Sequence, residues 1–135
     1  MTSKALIKSF YESDLSNDET LIEKFYHKDC LIHWNSSKGY TEMNYNDVSN
    51  FFQGVRESYN NLRFQITHLL EEDNMVTVRY TLFANTIESQ ADEMPIAHHI
   101  CIHHVKDQKI YRSFEISQPA DIDTLASEAY SEINI

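Results

Sequence analysis

A chain of 135 residues is the size of one domain, and its 41% hydrophobic and 12% aromatic content supplies one apolar core, which excludes global disorder. Lys plus Arg number 11 and Asp plus Glu 21, a formal charge of −10, so nucleic acid and anionic membrane surfaces are not expected partners. Two cysteines, Cys30 and Cys101, are too few for a disulfide framework. The N-terminal apolar run is broken by Lys8 and Glu12, and the expectation is a cytoplasmic, unprocessed chain.

Leu6, Ile7, Phe10, Tyr11 and Leu15 recur at helical spacing and predict an amphipathic helix over residues 3 to 15. Ser16 with Glu19 fits a capping box, and Leu21, Ile22, Phe25 and Tyr26 give the stripe of a second helix over 17 to 28. Cys30 to Asn35 is a short branched and aromatic strand, closed by Ser36, Ser37, Lys38 and Gly39. A third helix follows over about Tyr45 to Tyr59, with Val48, Phe51, Phe52, Val55 and Tyr59 as its buried stripe and Gly54 as a weak point.

From residue 62 the period changes from 3.6 to 2, and the remainder reads as antiparallel sheet. The strands are Leu62 to Leu70, Met75 to Ala84, His98 to Val105 and Ile110 to Ser117. Residues 86 to 95 form a polar loop, Asp107 and Gln108 a turn, and Pro119 ends the last strand. Asp121 to Tyr130 is a short terminal helix in an acidic segment, 119 to 135, that lacks Lys and Arg. The whole chain, 1 to 135, is one domain.

Four segments in this order, YHKDCLIHW, FFQGVRESYNNLRFQITHLL, MVTVRYTLF and DQKIYRSFEI, resemble the SnoaL-like branch of the nuclear transport factor 2-like superfamily, the superfamily of ketosteroid isomerase and scytalone dehydratase, over about residues 5 to 118. The resemblance implies an α+β cone, a curved antiparallel or mixed sheet wrapped around three N-terminal helices. It also implies a small-molecule pocket in the cone and a homodimer formed through the sheet. The position of the aspartate base of the isomerase relatives is taken by Trp34, flanked by His33 and Asn35, and their oxyanion tyrosine falls near Phe10, next to Tyr11. In the last strand, Gln108 and Phe114 replace a glycine and a tryptophan common in the family, and Arg112 replaces a frequent glutamate.

If the more apolar face of each strand points at the helices, the inward set is Phe64, Ile66 and His68; Val76, Val78, Tyr80 and Leu82; His98, Ile100, Ile102 and His104; and Ile110, Arg112, Phe114 and Ile116. His68, Tyr80, His98 and Arg112 are the polar exceptions, and a polar group on an apolar face must be paired or face a pocket. His98 then suits proton transfer, Arg112 an anion clamp, and Tyr80 the orientation of a carbonyl. His68 joins them as a ligand-binding group, and Trp34 and Phe114 suit stacking at the cone mouth. Each has an ordinary reading as well, as a satisfied core group, an ion pair or simple packing. Glu115, opposite Phe114, falls on the surface.

His99, Cys101 and His103 share one strand face, read as titratable sheet surface at a dimer contact rather than as a metal site, since no CxxC or HExxH pattern accompanies them. Leu69, Phe83, Cys101, Val105 and Tyr111 are the outward apolar positions that a homodimer would cover. The expected function is a pocket for a small, largely apolar molecule, worked as an isomerase, cyclase or dehydratase with no cofactor. The alternatives are a noncatalytic ligand-binding protein and a dimeric interaction module.

Overall fold

The computed structural model describes residues 1–87 and 93–120. Helix α1 (Ser3–Glu12) and the single turn α2 (Leu21–Phe25) precede strand β1 (Tyr26–Ser36), which forms a hairpin with β2 (Gly39–Met43). Helix α3 (Tyr45–Ser58) leads into β3 (Tyr59–Glu72), β4 (Met75–Thr86), β5 (Met94–Lys106) and β6 (Lys109–Pro119). The six strands form one sheet in the order β2-β1-β6-β5-β4-β3, mixed because β1 runs parallel to β6 and all other pairs are antiparallel. The architecture is the expected α+β one.

The termini of the elements follow local chemistry. Thr2 caps α1 through its side chain, and Ser13 ends it, three residues short of the predicted bound. The expected capping box at Ser16 does not form. Ser16 instead bonds Asp14 and the Asn60 carbonyl, and α2 shrinks to five residues because Tyr26 is already extended. A capping box does form at Asn44 and Asp47, opening α3. Asp107 and Gln108 both have positive φ, as a two-residue hairpin turn requires. Gly39, at φ +107°, closes the β1–β2 turn, and β2 itself was not anticipated. The terminal helix expected over Asp121 to Tyr130 lies outside the described residues, as does part of the polar loop.

The concave face of the sheet holds the core: Leu6, Ile7, Phe10 and Tyr11 of α1, with Leu15, Leu21, Ile22 and Phe25, pack on Val76, Val78, Tyr80, Cys101, Val105 and Ile110. Among the described residues, five register shifts interrupt the sheet, and three of them bear on the strand faces around this cluster. These three fall between Tyr26 and Leu31 in β1, between Ile66 and His68 in β3, and opposite Tyr111, where Val105 pairs with Ile110 while His104 pairs with Arg112.

The apolar stripe of α3 behaves differently from that of α1. Val48 is buried, but Phe52 and Val55 are only partly so and Phe51 is 40% exposed, because this face overhangs a void instead of packed side chains. Gly54 sits in the same helix, and a Cβ there would meet nothing within 4 Å. Gly54→Ala is therefore expected to stabilise the protein by about 0.5–1 kcal/mol through helix propensity alone, read as a higher urea midpoint.

A cavity on the concave face and its candidate functional site

Between α3 and the concave face lies a cavity of about 740 Å³. Its walls are mainly apolar and aromatic, with Phe51, Phe52, Leu62, Phe64 and Leu82 among the lining residues; polar groups come from β1, β4, β5 and β6, and also from Tyr11 of α1, Asn50 of α3 and Lys38 of the β1–β2 turn. Ligand sites have this character: mostly apolar walls with a few placed polar groups.

The polar groups owe their place to pairing across β5 and β6. His99 is opposite Ser117, Cys101 opposite Glu115, and His103 opposite Ser113, so the three residues expected on the outer surface point inward. His99 Nδ1 lies 2.8 Å from Glu115 Oε2, and both side chains are largely buried, at 8% and 16% exposure. The carboxylate accepts from Nδ1–H and so fixes the orientation of the imidazole in the cavity wall. The Tyr80 ring stacks on His99 at 4.8 Å and 6°. Trp34 stands beyond His99 at 6.5 Å, its Nε1 donating to Ser117 Oγ at 2.7 Å and its ring edge-on to Phe51.

Deeper in the wall, the Tyr11 hydroxyl and His103 Nε2 are 2.7 Å apart, and His103 Nδ1 is 2.7 Å from Ser113 Oγ. Burial drives the His103 imidazole down to about 4, with the His104 imidazole adding to the effect and the Glu115 carboxylate opposing it. Burial likewise holds the Tyr11 and Tyr80 phenols and the Cys101 thiol well above their ordinary values. These groups are neutral hydrogen-bonding groups at neutral pH. Among the described residues, no cluster of His, Cys, Asp or Glu is placed to hold a metal ion.

Two of the six residues singled out in the sequence, Tyr80 and Trp34, line the cavity. The inward placement of the other four is corrected. His68 is turned outward by the bulge after Ile66, which brings Leu69 to the core side in its place; His68 Nδ1 meets Thr67 Oγ1 at 3.0 Å. His98 is on the outer face, buried, with Nδ1 3.0 Å from Thr81 Oγ1, and burial lowers its pKa. Arg112 also lies outside, donating to the Asp29 carbonyl at 2.8 Å and covering the Tyr111 ring at 3.9 Å. Phe114, 45% exposed, stacks on His33 at 5.0 Å.

The rule that the more apolar face points inward fails in β5 and β6. Ile100, Ile102, Phe114 and Ile116 occupy the outer face at 40–61% exposure, while the polar alternates border the cavity. Glu115, Cys101 and Val105 are correspondingly interior rather than surface groups. The signal that identifies the inner face is the polar pairing itself, with His99, Cys101 and His103 matched against Ser117, Glu115 and Ser113.

The sequence model for the SnoaL-like domain matches residues 7–113. Among solved structures, IdmH of Streptomyces antibioticus, a candidate polyketide cyclase, superposes with a TM-score of 0.71 at 14% identity, covering 96% of this chain and 99% of that one. A candidate SnoaL-like polyketide cyclase of Shewanella denitrificans OS-217 gives 0.67 at 13% identity over 96% and 98% of the two chains. AclR of Streptomyces galilaeus, a candidate hydroxylase, gives 0.66 at 18% identity over 85% and 77%. At these identities the likeness is one of fold. No curated protein matches the sequence.

Proposed function

The chain belongs to the SnoaL-like domain family, and from that premise we propose that it binds a small, neutral, largely apolar carbonyl compound in the cavity and moves a proton on it, as an isomerase or cyclase that uses side chains alone. The observation that carries this reading is the His99–Glu115 pair at 2.8 Å on the wall of a mainly apolar cavity. In the proposed step, the C–H bond α to the carbonyl breaks, its proton passes to His99 Nε2, and its electron pair moves into the enolate, whose oxygen faces Tyr80. Where the ketone is β,γ-unsaturated, the resulting dienolate takes the proton back from His99 at its γ-carbon, shifting the double bond; otherwise the enolate carbon bonds to a second carbonyl carbon of the same molecule. In the second case the new alkoxide receives the proton from His99. Every proton and electron is accounted for without an oxidant.

The polyketide cyclase names carried by two structural neighbours fit this chemistry. The anion clamp first assigned to Arg112 does not, since its guanidinium lies on the outer face while Glu115 places a carboxylate inside.

A simple test uses 2-acetonaphthone, a planar neutral ketone with an exchangeable methyl group. In D₂O the protein is expected to accelerate deuterium incorporation into that methyl group, read by mass spectrometry. Incorporation no faster than in buffer overturns the catalytic reading and leaves ligand binding as the function.

A second reading, self-association, is favoured by the outer face. Ile100 is paired with Ile116 and Ile102 with Phe114, so four exposed apolar side chains adjoin on two strands. We propose that a second copy of this chain covers them. Light scattering at micromolar concentration should give twice the 15.9 kDa chain mass, and the double variant Phe114→Glu, Ile116→Glu should give a monomer. A monomeric parent protein contradicts the proposal.

A further inference from the structure

Pairing across three strands sets a row of cavity-lining side chains: Tyr80 of β4 is opposite His99 of β5, and His99 is opposite Ser117 of β6. The Tyr80 ring stacks on the imidazole at 4.8 Å. Ser117 holds the neighbouring position on the other strand, and directly opposed residues of an antiparallel pair have Cβ atoms about 4.5–5.5 Å apart. A carbonyl compound whose α C–H meets His99 therefore has its oxygen, two bonds away, within reach of the Ser117 hydroxyl.

The direction of that hydroxyl follows from its partner. Ser117 Oγ is 2.7 Å from Trp34 Nε1, and an indole nitrogen can only donate, so the serine accepts. Its own hydrogen remains. Among the described residues no side chain or carbonyl takes it up, although Ser117 is only 9% exposed. The cavity that Ser117 lines is the space open to that hydrogen. Accepting from the indole also polarises the O–H bond and makes the serine a better donor. Trp34 is held in turn by ring contacts with His99 at 6.5 Å and Phe51 at 5.6 Å, so the N–H that orients the hydroxyl is fixed before a ligand arrives.

We propose that Ser117 is a further catalytic residue, the donor that meets the carbonyl oxygen of the cavity ligand, with Trp34 as the positioning residue behind it. This rests on the reading of the cavity as a carbonyl site and adds to Tyr80 a second group for the enolate oxygen. The hydroxyl keeps its hydrogen throughout: its hydrogen bond strengthens as negative charge collects on the oxygen, and the transferred proton travels only by His99. Ser117 also supplies a preference that apolar walls cannot, for a ligand with an acceptor at this point over a hydrocarbon of the same shape.

The carbonyl stretch of bound 2-acetonaphthone, followed by infrared difference spectroscopy, reads this donation. In the parent protein the stretch is expected to fall below that of the ketone in hexane. Ser117→Ala should reverse much of the fall and weaken ketone binding by about 2- to 10-fold, the loss of one neutral hydrogen bond. 2-Isopropenylnaphthalene, with a methylene group in place of the oxygen, should bind the parent and Ser117→Ala equally. Ser117→Cys, whose thiol donates weakly, should behave as Ser117→Ala does, and Ser117→Thr should keep the shift. Trp34→Phe, which removes the N–H and keeps a ring, should leave a smaller shift than the parent shows. An unchanged stretch in Ser117→Ala, or in Ser117→Cys should the alanine variant not fold, overturns the proposal.

Methyl exchange keeps the two readings apart. Exchange absent from the parent, with a stretch that depends on Ser117, rejects the proton transfer and upholds the donor. Exchange present, with a stretch indifferent to Ser117, rejects the donor alone. A ketone that does not bind at all overturns both.

Discussion

His99→Gln is expected to slow the catalysed methyl exchange of 2-acetonaphthone by about 100-fold or more while leaving its affinity within a few-fold of the parent. Glutamine fills a similar volume and can bond Glu115, but it has no basic nitrogen. Glu115→Gln should act through the same pair in a milder way. Its carbonyl oxygen still accepts from Nδ1–H at the position that Glu115 Oε2 holds at 2.8 Å, yet it no longer stabilises the imidazolium. Loss of one charge-assisted bond corresponds to about 1.5–3 kcal/mol, or roughly 10- to 150-fold in rate. Substitutions on the other face, Arg112→Met among them, should leave the exchange rate alone, because Arg112 engages the Asp29 carbonyl and Tyr111.

Acid should destabilise the protein through His103. Its pKa is depressed to about 4 in the folded state, against about 6.5 in the unfolded chain. Above pH 6.5 both states are neutral and the full stability is present. As pH falls through 6.5 the unfolded state takes up the proton first, and the folded state resists it until about pH 4. Stability is therefore lost progressively across that window, by about 3 kcal/mol from this one group. His98, also depressed by burial, acts in the same direction. Urea midpoints between pH 7 and 4.5 should fall steeply in the parent protein and less steeply in His103→Gln, and parallel slopes would contradict the assignment. A buried imidazole in the cavity wall thus sets the acid limit of the fold.

Most of the architecture was legible in the sequence because it depends on periodicity. The stripe from Leu6 to Tyr11, the onset of α3 at Tyr45 and the alternation of Val76, Val78 and Tyr80 are enforced by burial, and each emerges as read. The face of a strand was legible only where the strand is regular and its inner side is packed. The bulge at Thr67 moved His68 outward, and the one opposite Tyr111 let Ile110 stay inside while Phe114 and Ile116 turned out.

The site itself was missed for a related reason. Part of the inner face of β5 and β6 borders a cavity, where polar side chains are tolerated, while exposed isoleucines crowd the outer face and reverse the expected contrast. Tyr80 was found because β4 keeps a packed side, and Trp34 because it takes the place of the aspartate base of the isomerase relatives. Glu115 had no sequence signal apart from its register with Cys101, which pairing alone reveals.

The cavity is expected to take a neutral carbonyl compound beside the Glu115 carboxylate. Trp34, the only tryptophan in the chain, lies in the cavity wall and reports on occupancy through its fluorescence. Titration at pH 7 with 2-acetonaphthone and with 2-naphthoate, near-isosteric but anionic, should show the ketone quenching Trp34 and the carboxylate binding at least about 10-fold more weakly, since it meets the charge of Glu115 in a poorly solvated site. Naphthoate binding as tightly as the ketone, and losing that affinity in Arg112→Met, would contradict the account and return the site to the face on which Arg112 lies.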